Sequence, residues 1–188
     1  MSMKITFDLS SADLDHFREV MSRAREAASE LDIHEIVDRA SQLLEKVNRS
    51  DTSDFVRDRM SKLETLIGMV VDQGWGLEDE ERKRVVDALA YFAEPEDLIP
   101  DHIPGLGFLD DAIMIEMVVK ELRHEIQAYR DFVVYRAAEA CRLGDEAGDL
   151  ERSDWLEERR QQLHSRMRRR RRRGRGDEEG KKSPFSLL

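Results

Sequence analysis

The sequence predicts an all-α protein: a bundle of about five or six helices built around one long central helix and a proline-rich connector, followed by a basic tail. Three observations carry this reading. Apolar residues recur at spacings of three and four through most of the first 165 positions, the period of a helix with one buried face. Strict alternation is confined to Ile5, Phe7 and Leu9, enough for a short N-terminal strand or extended arm and no more. At 188 residues the chain fits one domain plus a tail and is long enough to bury roughly 70% of its extended surface.

Ser10 or Ser11 opens the first helix, with Asp13 in its first turn and Leu14, Phe17, Met21, Ala24 and Ala28 along one stripe. Asp32 and Glu35 read as a capping box for a second helix whose inner face is Ile33, Ile36, Val37, Ala40, Leu43, Leu44 and Val47. After a turn over Asn48–Ser53, a third helix runs from about Asp54 to Asp72, with Phe55, Val56, Met60, Leu63, Leu66, Ile67 and Val70 inward. Gly74-Trp75-Gly76 ends it. A fourth starts near Leu77 with Glu78, Asp79, Glu80 and Glu81 at its positive end and Val85, Val86, Leu89 and Phe92 in the core.

Pro95, Pro100 and Pro104 then break the helical pattern, with Gly105 and Gly107 just beyond. Ile99 and Ile103 each precede a proline and are pushed toward extended geometry. Leu98, Leu106, Phe108 and Leu109 keep the stretch apolar, so it reads as a packed connector. A long helix follows, from about Leu109 to Leu143, with a heptad seam of Ala112, Ile115, Val119, Leu122, Ile126, Tyr129 and Val133. The Leu122–Ala140 half of that seam, if left uncovered, predicts a homodimer. Gly144 and Gly148 mark a break. Ser153 caps a last helix containing Trp155, Leu156, Leu163 and Met167 that runs into the arginines, and disorder is expected from Gly174 onward. The expected division is a helical domain over 1–165 and an Arg-rich, disordered tail over 166–188.

The run Tyr91-Phe92-Ala93-Glu94-Pro95-Glu96-Asp97-Leu98-Ile99-Pro100-Asp101-His102-Ile103-Pro104-Gly105-Leu106-Gly107-Phe108-Leu109-Asp110-Asp111 resembles the YkvA-like family of bacterial proteins. The match extends over about Val85–Val119, and its framework is Pro95, Asp97, Pro100, Asp101, Pro104, Gly105, Gly107, Asp110 and Asp111. Glu94, Glu96 and His102 stand where such proteins are more apolar. The resemblance implies a mostly helical fold and brings no established activity. Some relatives are membrane-associated, which implies peripheral membrane attachment as one alternative.

Charge is divided unevenly. Residues 166–188 hold ten bases and three acids, a net +7, which leaves −17 on residues 1–165 of the overall −10. Arg166, Arg168, Arg169, Arg170, Arg171, Arg172, Arg173 and Arg175 are the candidate partner-binding residues, because guanidinium groups grip phosphate in bidentate fashion. Nucleic acid or an anionic membrane surface is the expected partner class. No interleaved aromatic is there to stack on bases.

Asp97, Asp101, Asp110 and Asp111 are the candidate metal ligands, four carboxylates around one bent connector that suit a hard divalent cation. The competing reading is structural: Asp97 and Asp101 cap turns, and Asp110 and Asp111 sit at the positive end of the long helix. Glu121-x-x-His124 and Asp13-x-x-His16 have ligand spacing on a helix, but the rest of a di-iron set is missing. Gly105-Leu106-Gly107 is no dinucleotide fingerprint, since Asp110 stands at the third glycine position. No nucleophile elbow or Walker loop occurs. No catalytic residue, cofactor or small-molecule substrate is indicated. The lone Cys141 excludes an internal disulfide, and a cytoplasmic setting is expected. Pro184–Leu188 ends the chain on an apolar note and reads as a frayed end or a docking peptide. The functional expectation is a non-catalytic interaction or regulatory protein docking through its arginines. A cation-binding module or enzyme on the aspartates, and a peripheral membrane protein, are the alternatives.

Overall fold

A computed structural model of the chain describes residues 8–93, 99, 103, 106–143 and 154–180. Every regular element among them is helical: α1 (Ser11–Ala27), α2 (Ile33–Arg49), α3 (Asp54–Val71), α4 (Asp79–Leu89), α5 (Leu109–Glu121), α6 (Arg123–Leu143) and α7 (Asp154–Gly180), with short 3₁₀ turns at Ala28–Glu30 and Ala90–Ala93. The expected N-terminal strand at Ile5 and Phe7 lies outside the described residues. The helices form two compact units, one of Met1–Val70 and Asp79–Val118, the other of Val71–Glu78 and Val119–Leu188.

In the first unit the apolar stripes do what their spacing demands. Ala40, Leu63, Leu66, Met69, Val85, Ala88, Leu89, Ala112, Met114, Ile115 and Val118 are fully or almost fully buried. At roughly 1.5–3 kcal/mol for each large aliphatic side chain, these positions hold the unit together. α2 packs on α4 and on the 90–93 turn, and α1 meets the same two elements.

The local chemistry differs from expectation in three places. The capping box forms on α1, where Ser10 Oγ accepts the Asp13 N–H and the Asp13 carboxylate accepts the Ser10 N–H at 2.8 Å. Asp32 occupies the N-cap of α2 without a side-chain bond, and Glu35 turns to Arg39 one turn on. Phe55, expected inward, is 42% exposed, and the Arg59 guanidinium covers one face of its ring, 3.9 Å from the centroid. Ile33, also expected inward, lies at the mouth of a groove between the ends of α1, α2 and α4.

The described positions of the connector are held by backbone turns and one carboxylate. The Ile103 carbonyl accepts the N–H groups of Leu106 and Gly107, at 3.2 and 2.8 Å. Phe108 then takes a left-handed φ of 63° with its ring buried. That backbone costs an L-residue roughly 1–2 kcal/mol, which burial of the aromatic ring offsets. α5 starts at the next residue.

The long helix expected over Leu109–Leu143 is interrupted at Leu122, where α5 ends and α6 begins. Helical bonding resumes at once, since the Leu122 carbonyl accepts the Ile126 N–H at 2.9 Å. In the second unit α7 packs along α6. Leu122, Ile126, Ala128 and Phe132 of α6 are buried, as are Leu156, Leu163 and Met167 of α7. Part of the seam that suggested a second copy is thus buried within one chain. The buried Met167 and the largely covered Arg171 also lie past the expected domain boundary at Ser165. Packing therefore continues into the arginine run, and most of the tail from Gly174 on lies outside the described side chains.

Candidate functional site

The second unit is organised by one tryptophan. The Val71–Glu78 segment leaves α3 in a tight turn, in which the Asp72 carbonyl accepts the N–H groups of Trp75 and Gly76. Gly76 makes the turn possible with φ +55°. Trp75 is driven fully inside and meets Tyr129 and Phe132 of α6 and His164 of α7, with ring centroids 5.8, 5.1 and 4.2 Å away. Replacing Gly76 with alanine should lower stability by about 1 kcal/mol, because an L-residue resists that φ. The new Cβ would meet the Gln73 carbonyl and the Arg160 guanidinium only at ordinary contact distance, 3.4 Å. A urea titration of the variant checks this.

Asp72 ties the turn to α6. Its carboxylate receives both Nη groups of Arg136, at 2.9 and 2.8 Å, the Tyr129 hydroxyl at 3.1 Å and the Trp75 N–H at 3.2 Å. Burial pushes the Asp72 carboxyl up, but the Arg136 guanidinium, the Trp75 N–H and the Tyr129 hydroxyl outweigh it and hold the carboxyl below its ordinary value. Burial and the neighbouring Asp72 charge push the Tyr129 phenol up to about 12.

α7 is fastened to the same segment. The Trp75 carbonyl can only accept, so His164 Nε2 carries a proton and donates to it at 3.3 Å. Burial, followed by the nearby Arg168 and Arg160 charges, holds the His164 imidazole below its usual pKa, against the opposing effects of that bond and of Glu78. Arg160 donates to the Gly74 carbonyl at 3.3 Å. Arg168 grips Glu78 with both Nη groups. Arg171, with 15% of its side chain exposed, reaches the buried Glu125 of α6 at 3.4 Å. A polar cleft of about 340 Å³ opens beside these contacts, between Glu78 and the Glu157, Arg160 and Arg168 positions of α7.

These anchors sort the arginine run. A helix through eight arginines is expected to carry charge all round. Here Arg168 and Arg171 are turned onto acids, while Arg166, Arg169, Arg170, Arg172 and Arg173 are exposed. Arg166, Arg169, Arg170 and Arg173 stand at i, i+3, i+4 and i+7, one face of the helix. Arg166 lies 3.9 Å from Asp131, and Arg169 donates to the Ser165 carbonyl of its own helix. Among the described residues no carboxylate is paired with Arg169, Arg170, Arg172 or Arg173. The side chain of Arg175 lies outside the described residues.

The connector carries the other candidate set. Asp110 is buried, and its Oδ2 accepts the Ile99 N–H at 3.0 Å and the Tyr91 hydroxyl at 3.4 Å. Its carboxylate thus fixes the backbone of a pre-proline residue eleven positions back. Asp111 is buried beside it in the first turn of α5. Asp97, Asp101, Pro95, Pro100, Pro104 and Gly105 lie outside the described residues.

Residues 84–117 match a protein-family model. Its description is "Protein of unknown function (DUF1232)". The match covers under a fifth of the chain and falls on α4, the connector and most of α5. No curated protein and no solved structure matches the chain.

Among the described residues no group of three or more histidine, cysteine or acidic side chains is arranged to hold a metal ion. Asp13 is taken up by its capping box, and His16 stacks edge-on with Phe17. His124 is half-buried, with burial and the Arg123 and Arg170 charges lowering its pKa against the pull of Glu125. No spacing in the sequence marks the cluster of Asp72, Trp75, Tyr129, Arg136 and His164. Trp75 stands there only as part of a helix stop, and Tyr129 as a heptad position. The available signal was a large aromatic between two glycines, since a tryptophan in a turn that short has to find a pocket.

Proposed function

We propose that the chain is a non-catalytic interaction protein that docks on a polyanionic partner through the exposed arginines of α7. The observation that carries this reading is the sorting of the arginine run. Two members are used up in fastening the helix, and of the outward members Arg169, Arg170, Arg172 and Arg173 are left on a rigid support without carboxylate partners among the described residues, while Arg166 lies at the edge of reach of Asp131. Guanidinium groups held on a packed helix lose less freedom on binding than the same groups on a free tail. The engagement of Asp110 with Ile99 and Tyr91 supports a structural role for that carboxylate, and with it the non-catalytic reading. The resemblance of the connector to the YkvA-like family, which has no established activity, agrees with it.

The test is retention on immobilised heparin. The full chain should stay bound at physiological salt and elute at higher salt. The variant R166Q/R169Q/R170Q/R173Q should pass through, with its helical content unchanged by circular dichroism. Equal elution of the two proteins would overturn the reading.

A further inference from the structure

We propose that the polyanion is a nucleic-acid duplex, held by its phosphates without reading base sequence. The inference rests on the docking role of α7 and adds its partner class.

Three observations on that helix select the partner. First, the described side chains on its outward face are polar. The exposed large apolar side chains among the described residues are Leu9, Ile33, Phe55, Val71, Leu106 and Val134, and none lies on α7. A helix that binds in the plane of a lipid interface sinks an apolar face among the acyl chains. The apolar positions of α7, Leu156, Leu163 and Met167, are instead buried. Nothing described on its outer side would enter a bilayer.

Second, the basic face is extended and regular. Gln162, Arg166, Arg169, Arg170 and Arg173 follow one another along one side over about three turns, and the Glu158 carboxylate, which accepts from the Gln162 amide at 3.2 Å, flanks only the start of the strip. Successive rungs are roughly 4.5–6 Å apart along the axis. A duplex offers phosphates in two rigid rows, one negative charge per ~1.7 Å of helix axis. A stiff basic strip suits a stiff row of anions, because neither side has to be ordered on contact.

Third, no stacking platform is present among the described side chains of α7. Single-strand binders seat successive bases on aromatic side chains. No exposed aromatic is present among the described side chains of α7, where His164 is buried, and Tyr135 of α6 is overlain by the Arg159 guanidinium at 5.2 Å. Side chains that reach only phosphate position a protein on nucleic acid and carry no sequence information.

The experiment uses the full chain and a labelled duplex of about 20 base pairs, with anisotropy followed from low to physiological salt. A second duplex of unrelated sequence, a single strand of equal length and vesicles rich in phosphatidylserine complete the set. Four neutralised phosphates predict a slope of log K against log salt of about −3.6, a loss of roughly 150-fold between 50 and 200 mM salt. The two duplexes should bind alike, both should bind more tightly than the single strand or the vesicles, and R166Q/R169Q/R170Q/R173Q should lose most of the affinity. Equal or tighter binding to vesicles or single strand, with heparin retention intact, would overturn the duplex assignment and leave the docking reading standing. A marked preference between the duplexes would overturn the phosphate-only mode. Loss of both duplex binding and heparin retention would sink the two proposals together.

Discussion

Replacing Trp75 with alanine should lower the unfolding free energy of its unit by about 3–5 kcal/mol. The residue is fully buried and touches rings from both long helices of that unit, Tyr129 and Phe132 on α6 and His164 on α7. Alanine removes the ring and leaves a hole that two packed helices can close only in part. It also loosens the segment whose carbonyls receive His164 and Arg160. Urea titration followed by far-ultraviolet circular dichroism measures the effect, since fluorescence would lose one of the two tryptophans. A loss under about 1 kcal/mol, the cost of an ordinary surface change, would mean that the aromatic contacts are not what seats the segment.

Asp72→Ala should cost about 2–3 kcal/mol. Breaking a buried ion pair costs 3–5 kcal/mol, but the Arg136 side chain is 26% exposed and water recovers part of its hydration. The Tyr129 hydroxyl loses its acceptor as well. The pH dependence has a definite sign. The folded Asp72 carboxyl titrates below its ordinary value of 3.8. Its contribution is therefore complete above that value and disappears as the pH falls through the folded one. Tyr129 acts at the other end. Its phenol is raised from 10.0 to about 12, so the stability tied to its neutral form is complete below 10 and lost as the pH rises through 12. Of the three tyrosines, Tyr129 should be a late one in an alkaline absorbance titration, and Asp72→Ala should move it earlier. An unchanged titration would place the two groups out of contact.

The helices were legible because burial on one face leaves a period in the sequence, and that period placed Ala40, Leu63, Val85, Ala112 and Leu122 correctly. Phe55 and Ile33 escaped because periodicity gives the direction of a side chain but not whether another element lies in that direction. Asp32 shows a similar limit: the residue type suits an N-cap, yet the side-chain bond depends on a rotamer that no local pattern specifies. For the candidate site, the arginines were legible as a class while their sorting was not. Which two face inward follows from where Glu78 and Glu125 lie, and these acids stand 90 and 46 positions away in the chain. Asp110 was noticed for its charge, and its bond to Ile99 depends on how the connector folds back.

The glycine that follows the arginines sets the tolerance of this helix to changes in length. A Cβ at Gly174 would come within 3.2 Å of Arg123 Nη2 and 3.6 Å of His124 Nε2. Because Arg168–Arg173 is a homopolymer, gaining or losing one arginine leaves arginine facing both Glu78 and Glu125, so the two anchors survive a one-residue slip. Either change, however, brings an arginine to position 174. There it nudges the tip of the exposed Arg123 side chain and adds a like charge beside it. The arginines would accept a change of register, and its cost would fall at the far end of the run, where the tip of Arg123 has to give way by a few tenths of an ångström.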